Sequence, residues 1–224
     1  MSNKVMILLV PLVLVLISTS YGEDGDYFPL KEGLQWEYES IDSVKSRMTS
    51  TVLPKRNLNG QEVSVVRLVF PTESSPAGDP SFMFFLKSNL GIKMIAEQDS
   101  KDAEPRLRKQ DDFELKFPLT VGSSWISYEE LGEGMDKFTF PVNKTIEKMD
   151  EVVTVEAGTF EGCMRVTGKF KGKVNLGSYG GAPELTYEDY TLHAPGVGIV
   201  KLCLQYEFKL ETSQACAQLK SFIK

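Results

Sequence analysis

A nine-residue pattern, Phe-Pro-Leu-x-x-Gly-x-x-Trp, occurs twice in the chain, as Phe28 to Trp36 and as Phe117 to Trp125, and the two copies hold both tryptophans. Each repeated residue type has a mechanical reason to be there. Pro29 and Pro118 have a fixed φ and no N–H, which suits the first residue or the edge of a strand. Gly33 and Gly122 permit a bend that a side chain would block. Trp36 and Trp125 then open the next strand, where the area of an indole covers the end of a core. The pattern therefore predicts a strand–kink–strand corner plugged by an indole. An exposed aromatic platform for a glycan is the competing reading, and the apolar area of an indole favours packing over it. The copies start 89 residues apart, so residues 23–224 read as one β domain of two related half-units, about 27–112 and 113–224.

Behind each corner, apolar and polar residues alternate with the period of half-buried strands. Leu34 to Ile41, Gln61 to Phe70, Phe113 to Phe117 and Ile199 to Leu210 are examples. Ser46 to Leu53 reads as a strand stopped by Pro54, and Asn59-Gly60 as a tight hairpin turn. Glu97 to Asp112 is charged and carries Pro105, which reads as a connection between the halves. Lys137 to Val155 is strand material with a break near Pro141 or Asp150. Ala157-Gly158-Thr159-Phe160 reads as a sharp corner, and Pro195-Gly196-Val197-Gly198 as a late turn. No window shows an amphipathic helix with caps. The expected fold is all-β: an antiparallel curled sheet, barrel or sandwich of about ten to twelve strands.

Ahead of the first copy, Lys4 precedes an apolar run from Val5 to Ile17 and then the small residues Ser20 and Gly22. That is the form of a secretory signal peptide, residues 1–22, cleaved before Glu23. The run falls short of the roughly 18–20 apolar residues a bilayer span needs, and Pro11 interrupts it. Cleavage takes the chain from 224 residues and a net charge of −6 to 202 residues and −7, since Lys4 is the one charged residue removed. The expected location is periplasmic or secreted, with no stable membrane insertion after cleavage. The acidic balance argues against nucleic acid, whose partners carry a basic stripe.

Three cysteines follow, Cys163, Cys203 and Cys216. An oxidising compartment implies one disulfide and one free thiol. Strand parity sets all three on the polar side of their strands, and Cys163 with Cys203 is the preferred cross-strand pair.

The residues that could carry chemistry are few. His193 is the single histidine, which leaves no His-based metal cluster or Ser-His-Asp set to build around it. The pairs Asp111-Asp112, Glu129-Glu130 and Glu188-Asp189 read as solvated charge, because neighbours on a strand face opposite sides. Asn143-Lys144-Thr145 matches a glycosylation acceptor. Gly177 to Gly181 lacks the Lys-Ser/Thr of a phosphate loop. No catalytic, metal-binding or cofactor-binding residue is assigned. The most apolar run of the mature chain is Phe82 to Leu86; Phe82, Phe84 and Leu86 share one face and are the candidate lining of an apolar pocket. The alternative is a strand buried on both faces.

Three stretches carry a resemblance: Phe28 to Trp36, Val155 to Cys163 and Ala194 to Lys201. They resemble uncharacterised families of exported bacterial envelope proteins, loosely grouped with the LolA/LolB-like fold, a curled antiparallel sheet around an apolar cavity. The resemblance implies no established activity and transfers no functional residue. The chain thus reads as a non-catalytic binding or structural component of the envelope, its partner an envelope protein. The alternative is a periplasmic carrier of a lipid or other apolar ligand.

Overall fold

The computed structural model describes residues 26–42, 46–71, 78–108, 111–132, 138–175, 182–209 and 211–224. The expected signal peptide and the Gly177 to Gly181 segment lie outside the described residues. Thirteen strands form one antiparallel sheet, curled but not closed, and no helix occurs among the described residues. The strands are β1 (Gln35–Ser40), β2 (Arg47–Leu58), β3 (Gln61–Val69), β4 (Pro80–Ser88), β5 (Gly91–Gln98), β6 (Arg106–Leu107), β7 (Phe113–Lys116), β8 (Ser124–Leu131), β9 (Phe138–Val155), β10 (Gly158–Lys173), β11 (Glu184–Ala194), β12 (Gly198–Phe208) and β13 (Glu211–Ile223). Their order across the sheet is β6-β5-β4-β3-β2-β1-β13-β12-β11-β10-β9-β8, with β7 also pairing β5. One edge is therefore shared by β6 and β7, and the other is β8.

The two sequence corners make the same three backbone hydrogen bonds. Gly33 N donates to Val52 O (3.0 Å), Val52 N to Leu34 O (2.9 Å) and Leu34 N to Lys31 O (3.3 Å). In the second copy Gly122 N donates to Ile146 O (2.8 Å), Ile146 N to Ser123 O (2.9 Å) and Ser123 N to Thr120 O (3.0 Å). Gly33 and Gly122 hold φ of +90° and +87°, a conformation that a Cβ disfavours. The likeness extends across four strands in each case. Trp36, Ser50, Leu68 and Ser81 stand side by side on β1 to β4, as Trp125, Lys144, Gly168 and Asp189 do on β8 to β11.

Three sequence expectations need correction. Pro54 does not stop a strand; β2 runs through it to Leu58, because a register shift between Leu53 and Arg56 takes the proline out of the ladder. Residues 138–155 form one unbroken strand, with Asp150 at a φ of +61° beside shifts in the β9–β10 pairing. The disulfide joins Cys203 to Cys216, not to Cys163. Cys203 and Cys216 face each other across β12 and β13, their Cα atoms 4.1 Å apart. Cys163 lies on β10, with β11 between it and β12. Its thiol is free and buried in the largest core cluster, not on a polar face.

That cluster gathers Trp36, Tyr38, Val52, Val66, Phe85, Leu192, Val200 and Leu219 around the centre of the sheet. Alternate residues of β3 and β4 take opposite sides: Val66 and Phe85 join it, while Val65 and Phe84 belong to a second cluster with Val63, Phe82 and Ala96. The β3–β4 hairpin is thus covered on both faces.

Candidate functional site

The three stretches that carry the family resemblance meet in space. The indole N–H of Trp36 donates to Val197 O (2.6 Å), and Gly196 N donates to Asp26 O (2.9 Å). Gly198 lies so close to the first corner that an added Cβ would sit 3.3 Å from Cδ of Pro29. The Tyr27 hydroxyl donates to Gly162 O (2.9 Å), and Pro195 packs beside Gly162. Gly158 and Phe160 open β10 here, with the thiol of Cys163 turned toward Phe160 O. Burial, and then the nearby Glu151 carboxylate, push that thiol up to about 11. His193 belongs to the same assembly: Nδ1 faces Tyr27 O (3.1 Å) and Nε2 faces the Thr191 hydroxyl (2.8 Å). Burial lowers its pKa to about 4, so the ring is neutral at pH 7.

The second corner is used differently. The Phe117–Pro118 peptide is cis. The Trp125 indole donates to Phe113 O on β7 (2.8 Å), across the gap between the two sheet edges. Asp112 crosses the same gap, its Oδ1 accepting from the Ser127 hydroxyl (2.9 Å) and from Tyr128 N (3.0 Å). No β7–β8 ladder forms among the described residues, so side chains and not backbone pairing hold this seam.

Above those bonds the seam widens into a groove of about 320 Å³ lined by Glu97, Arg106, Arg108, Tyr128, Glu130 and Thr139, among others. Its charges face one another. Glu97 meets Arg106 (3.1 Å) and Arg108 (3.2 Å), and Arg108 reaches Asp112 (3.5 Å) and Glu130 (3.8 Å). The Asp112 side chain is only 3% exposed.

A largely buried cation stands deeper in the curl. On β9 the inward register is Phe140, Val142, Lys144, Ile146, and Lys144 interrupts an otherwise apolar face. Its ammonium pairs with Glu129 (2.9 Å) and Asp189 (2.5 Å), and the Tyr187 hydroxyl donates to Asp189 (2.8 Å). Gly168 lies between Lys144 and Asp189 in the strand order. A Cβ there would come within 2.5 Å of Asp189 Oδ1, so the missing side chain is what opens the space for the carboxylate. Burial alone would depress the Lys144 ammonium, but Glu129 and Asp189 outweigh it and hold it above its ordinary value. Burial, with Glu129 and Asp112 adding to it, raises Glu114 on β7 to about 7.

The expectation of solvated acidic pairs is corrected here. Asp112 is tied into the seam and Asp189 into the lysine cluster, while both members of the third pair are engaged, Glu129 by Lys144 and Glu130 by Arg106 and Arg108. Lys144 was visible in the sequence as a lysine in an apolar register between Val142 and Ile146. Phe82 and Phe84, the proposed pocket lining, are 6% and 1% exposed and packed against Val63, Val65 and Ala96; Leu86 is half-buried at a separate surface groove with Lys87.

No protein-family model matches the chain, and no curated protein matches it. Among solved structures it is similar to a protein of Bacteroides fragilis inferred to be exported and described as having a YmcC-like fold. The TM-score is 0.53, over 88% of this chain and 98% of that one, at 15% sequence identity. The fold resembles the YmcC-like fold. A Parabacteroides distasonis protein inferred to be a lipoprotein also aligns over 88% of this chain and 98% of its own, with a TM-score of 0.45 and 16% identity.

Proposed function

We propose that the chain works outside the cytoplasm as a non-catalytic binding or structural component of the bacterial envelope, and that it meets an envelope protein at the seam groove. The observation that carries this reading is the seam itself. The groove is formed where the two sheet edges fail to pair, and Arg106, Arg108, Glu97 and Glu130 neutralise one another along its walls. Such a surface offers hydrogen-bonding groups in fixed positions at little cost in ordering on binding. The Cys203–Cys216 bond supports an oxidising location, and the Bacteroides protein of similar fold is itself inferred to be exported.

Photo-crosslinkers placed at Tyr128 and Thr139 in intact cells test the proposal, with the outward-facing Val152 as the control position. The reading expects a discrete envelope adduct from the groove positions; equal yields from Val152, or protein retained in the cytoplasm, would sink it. A carrier of an apolar ligand would need Phe82 and Phe84 to border open space, whereas both are packed. A lipid that stays bound through gentle purification and native mass spectrometry would reverse that preference.

A further inference from the structure

The chain contains six arginines, and four of them face carboxylates: Arg47 with Glu39, Arg106 and Arg108 with Glu97, and Arg165 with Glu151. The remaining two, Arg56 and Arg67, have no carboxylate partner among the described residues, and both are neighbours of Phe82. Arg67 on β3 is the direct cross-strand neighbour of Phe82 on β4. The Arg56 guanidinium, carried past the β2 bulge, stands 5.7 Å from the centroid of that ring, a cation–π separation. Lys55, next to Arg56 in sequence, pairs with Glu62 at 2.6 Å, and so that carboxylate does not offset the two guanidiniums.

The row that holds Arg67 is unusual in a second way. Thr51, Arg67, Phe82 and Gln98 stand side by side on β2, β3, β4 and β5. Three of these four have a buried polar atom with no hydrogen-bond partner: Thr51 Oγ1, Arg67 Nε and Gln98 Oε1. Gln98 is 5% exposed, and its amide nitrogen is already committed to Ser100 O (2.6 Å). Buried polar atoms left unpaired are costly, so three along one row, beside two cations without a carboxylate partner, mark a place built to receive something.

We propose that Arg56, which stands over the Phe82 ring, and Arg67, the cross-strand neighbour of Phe82, bind a phosphate group, carried either on a small soluble ester or on a lipid headgroup. Two guanidiniums supply planar, paired N–H donors and the charge that a dianion requires. The Thr51 hydroxyl adds a neutral donor next to Arg67. Gln98 Oε1 is an acceptor and suits a hydroxyl of the same ligand. The site lies on the face of β3–β4 opposite the central core and is independent of the seam groove.

Calorimetric titration of the purified protein with inorganic phosphate and glycerol phosphate, and co-sedimentation with phosphatidylcholine vesicles with and without phosphatidylglycerol, test the proposal. Saturable binding of a soluble phosphate, or of the anionic vesicles alone, is expected, and the two arms tell the sources apart. Arg67→Met and Arg56→Met should each weaken it by roughly tenfold or more, matching the loss of a charge-assisted hydrogen bond. Arg67→Lys should fall between, and Arg47→Met, whose guanidinium already faces Glu39, should leave binding unchanged. Arg56 is exposed, so Arg56→Met carries the test if Arg67→Met does not fold. The proposal is overturned if no probe binds up to about 10 mM, or if binding persists in both Met variants.

Discussion

The indole N–H of Trp36 donates to the carbonyl oxygen of Val197, 161 residues further along the chain. That bond fixes the late Pro195-Gly196-Val197-Gly198 turn onto the first corner, where Phe222 of the last strand stacks on the same indole at 5.6 Å. The first corner is therefore the point at which the start and the end of the described chain are joined. The second corner, with the same backbone hydrogen bonds, uses its indole to hold β7 against β8. A device repeated in sequence thus closes two different gaps.

Replacing Trp36 by Phe keeps an aromatic ring but leaves the buried Val197 carbonyl unpaired. The expected loss is about 1–3 kcal/mol, with a similar loss for Trp125→Phe, whose donor serves Phe113 O. Chemical denaturation of each variant checks this. Wild-type stability in either variant would mean that the indole bonds contribute little.

The corners were readable because Pro, Gly and Trp each constrain the backbone or the core in a way that few other residues can. The all-β class followed from period-two alternation for the same reason. What the sequence could not supply was register. Parity around Cys163 depends on where β10 bulges, and the positive φ of Gly162 (+67°) and the shifts in the β9–β10 pairing turn that thiol inward. The seam was illegible for a similar reason: it unites Arg108 and Asp112 with Glu130 and Tyr128, and only the curl of the whole sheet brings those residues together.

Thiol counting separates the cysteine pairings. Without reductant, native protein should take up no alkylating reagent, since Cys163 is buried and the other two are bonded. Unfolding without reductant should expose one thiol, mapped by peptide mass to Cys163, and reduction should expose three. Cys203→Ser with Cys216→Ser should cost about 3 kcal/mol, the order expected for a bridge closing a loop of this length. A label on Cys216 in unreduced, unfolded protein would contradict the structure.

Lys144→Met would leave Glu129 and Asp189 facing each other in the curl without a cation. Breaking a largely buried pair in this way costs about 3–5 kcal/mol. Gly168→Ala reaches the same cluster from its other side, because Asp189 cannot withdraw from the new Cβ without leaving Lys144 or Tyr187. Thermal unfolding measures both. A Gly168→Ala protein as stable as wild type would show that Asp189 moves freely.

Glu114 and His193 predict opposite limbs of the stability–pH profile. The Glu114 carboxyl is raised in the fold from 4.5 to about 7, so the folded state binds its proton more tightly than the unfolded chain does. Its contribution is full below pH 4.5 and is lost as pH rises through 7, where the carboxylate ionises beside Glu129 and Asp112 at the seam. His193 is lowered from 6.5 to about 4, so the fold favours its neutral ring; that contribution is full above pH 6.5 and is lost as pH falls through 4. Glu114→Gln should therefore match wild type near pH 5 and exceed it at pH 8, flattening the alkaline limb alone. Denaturant midpoints from pH 4 to pH 9 decide the point, and an alkaline limb unchanged by Glu114→Gln would place its origin in another group.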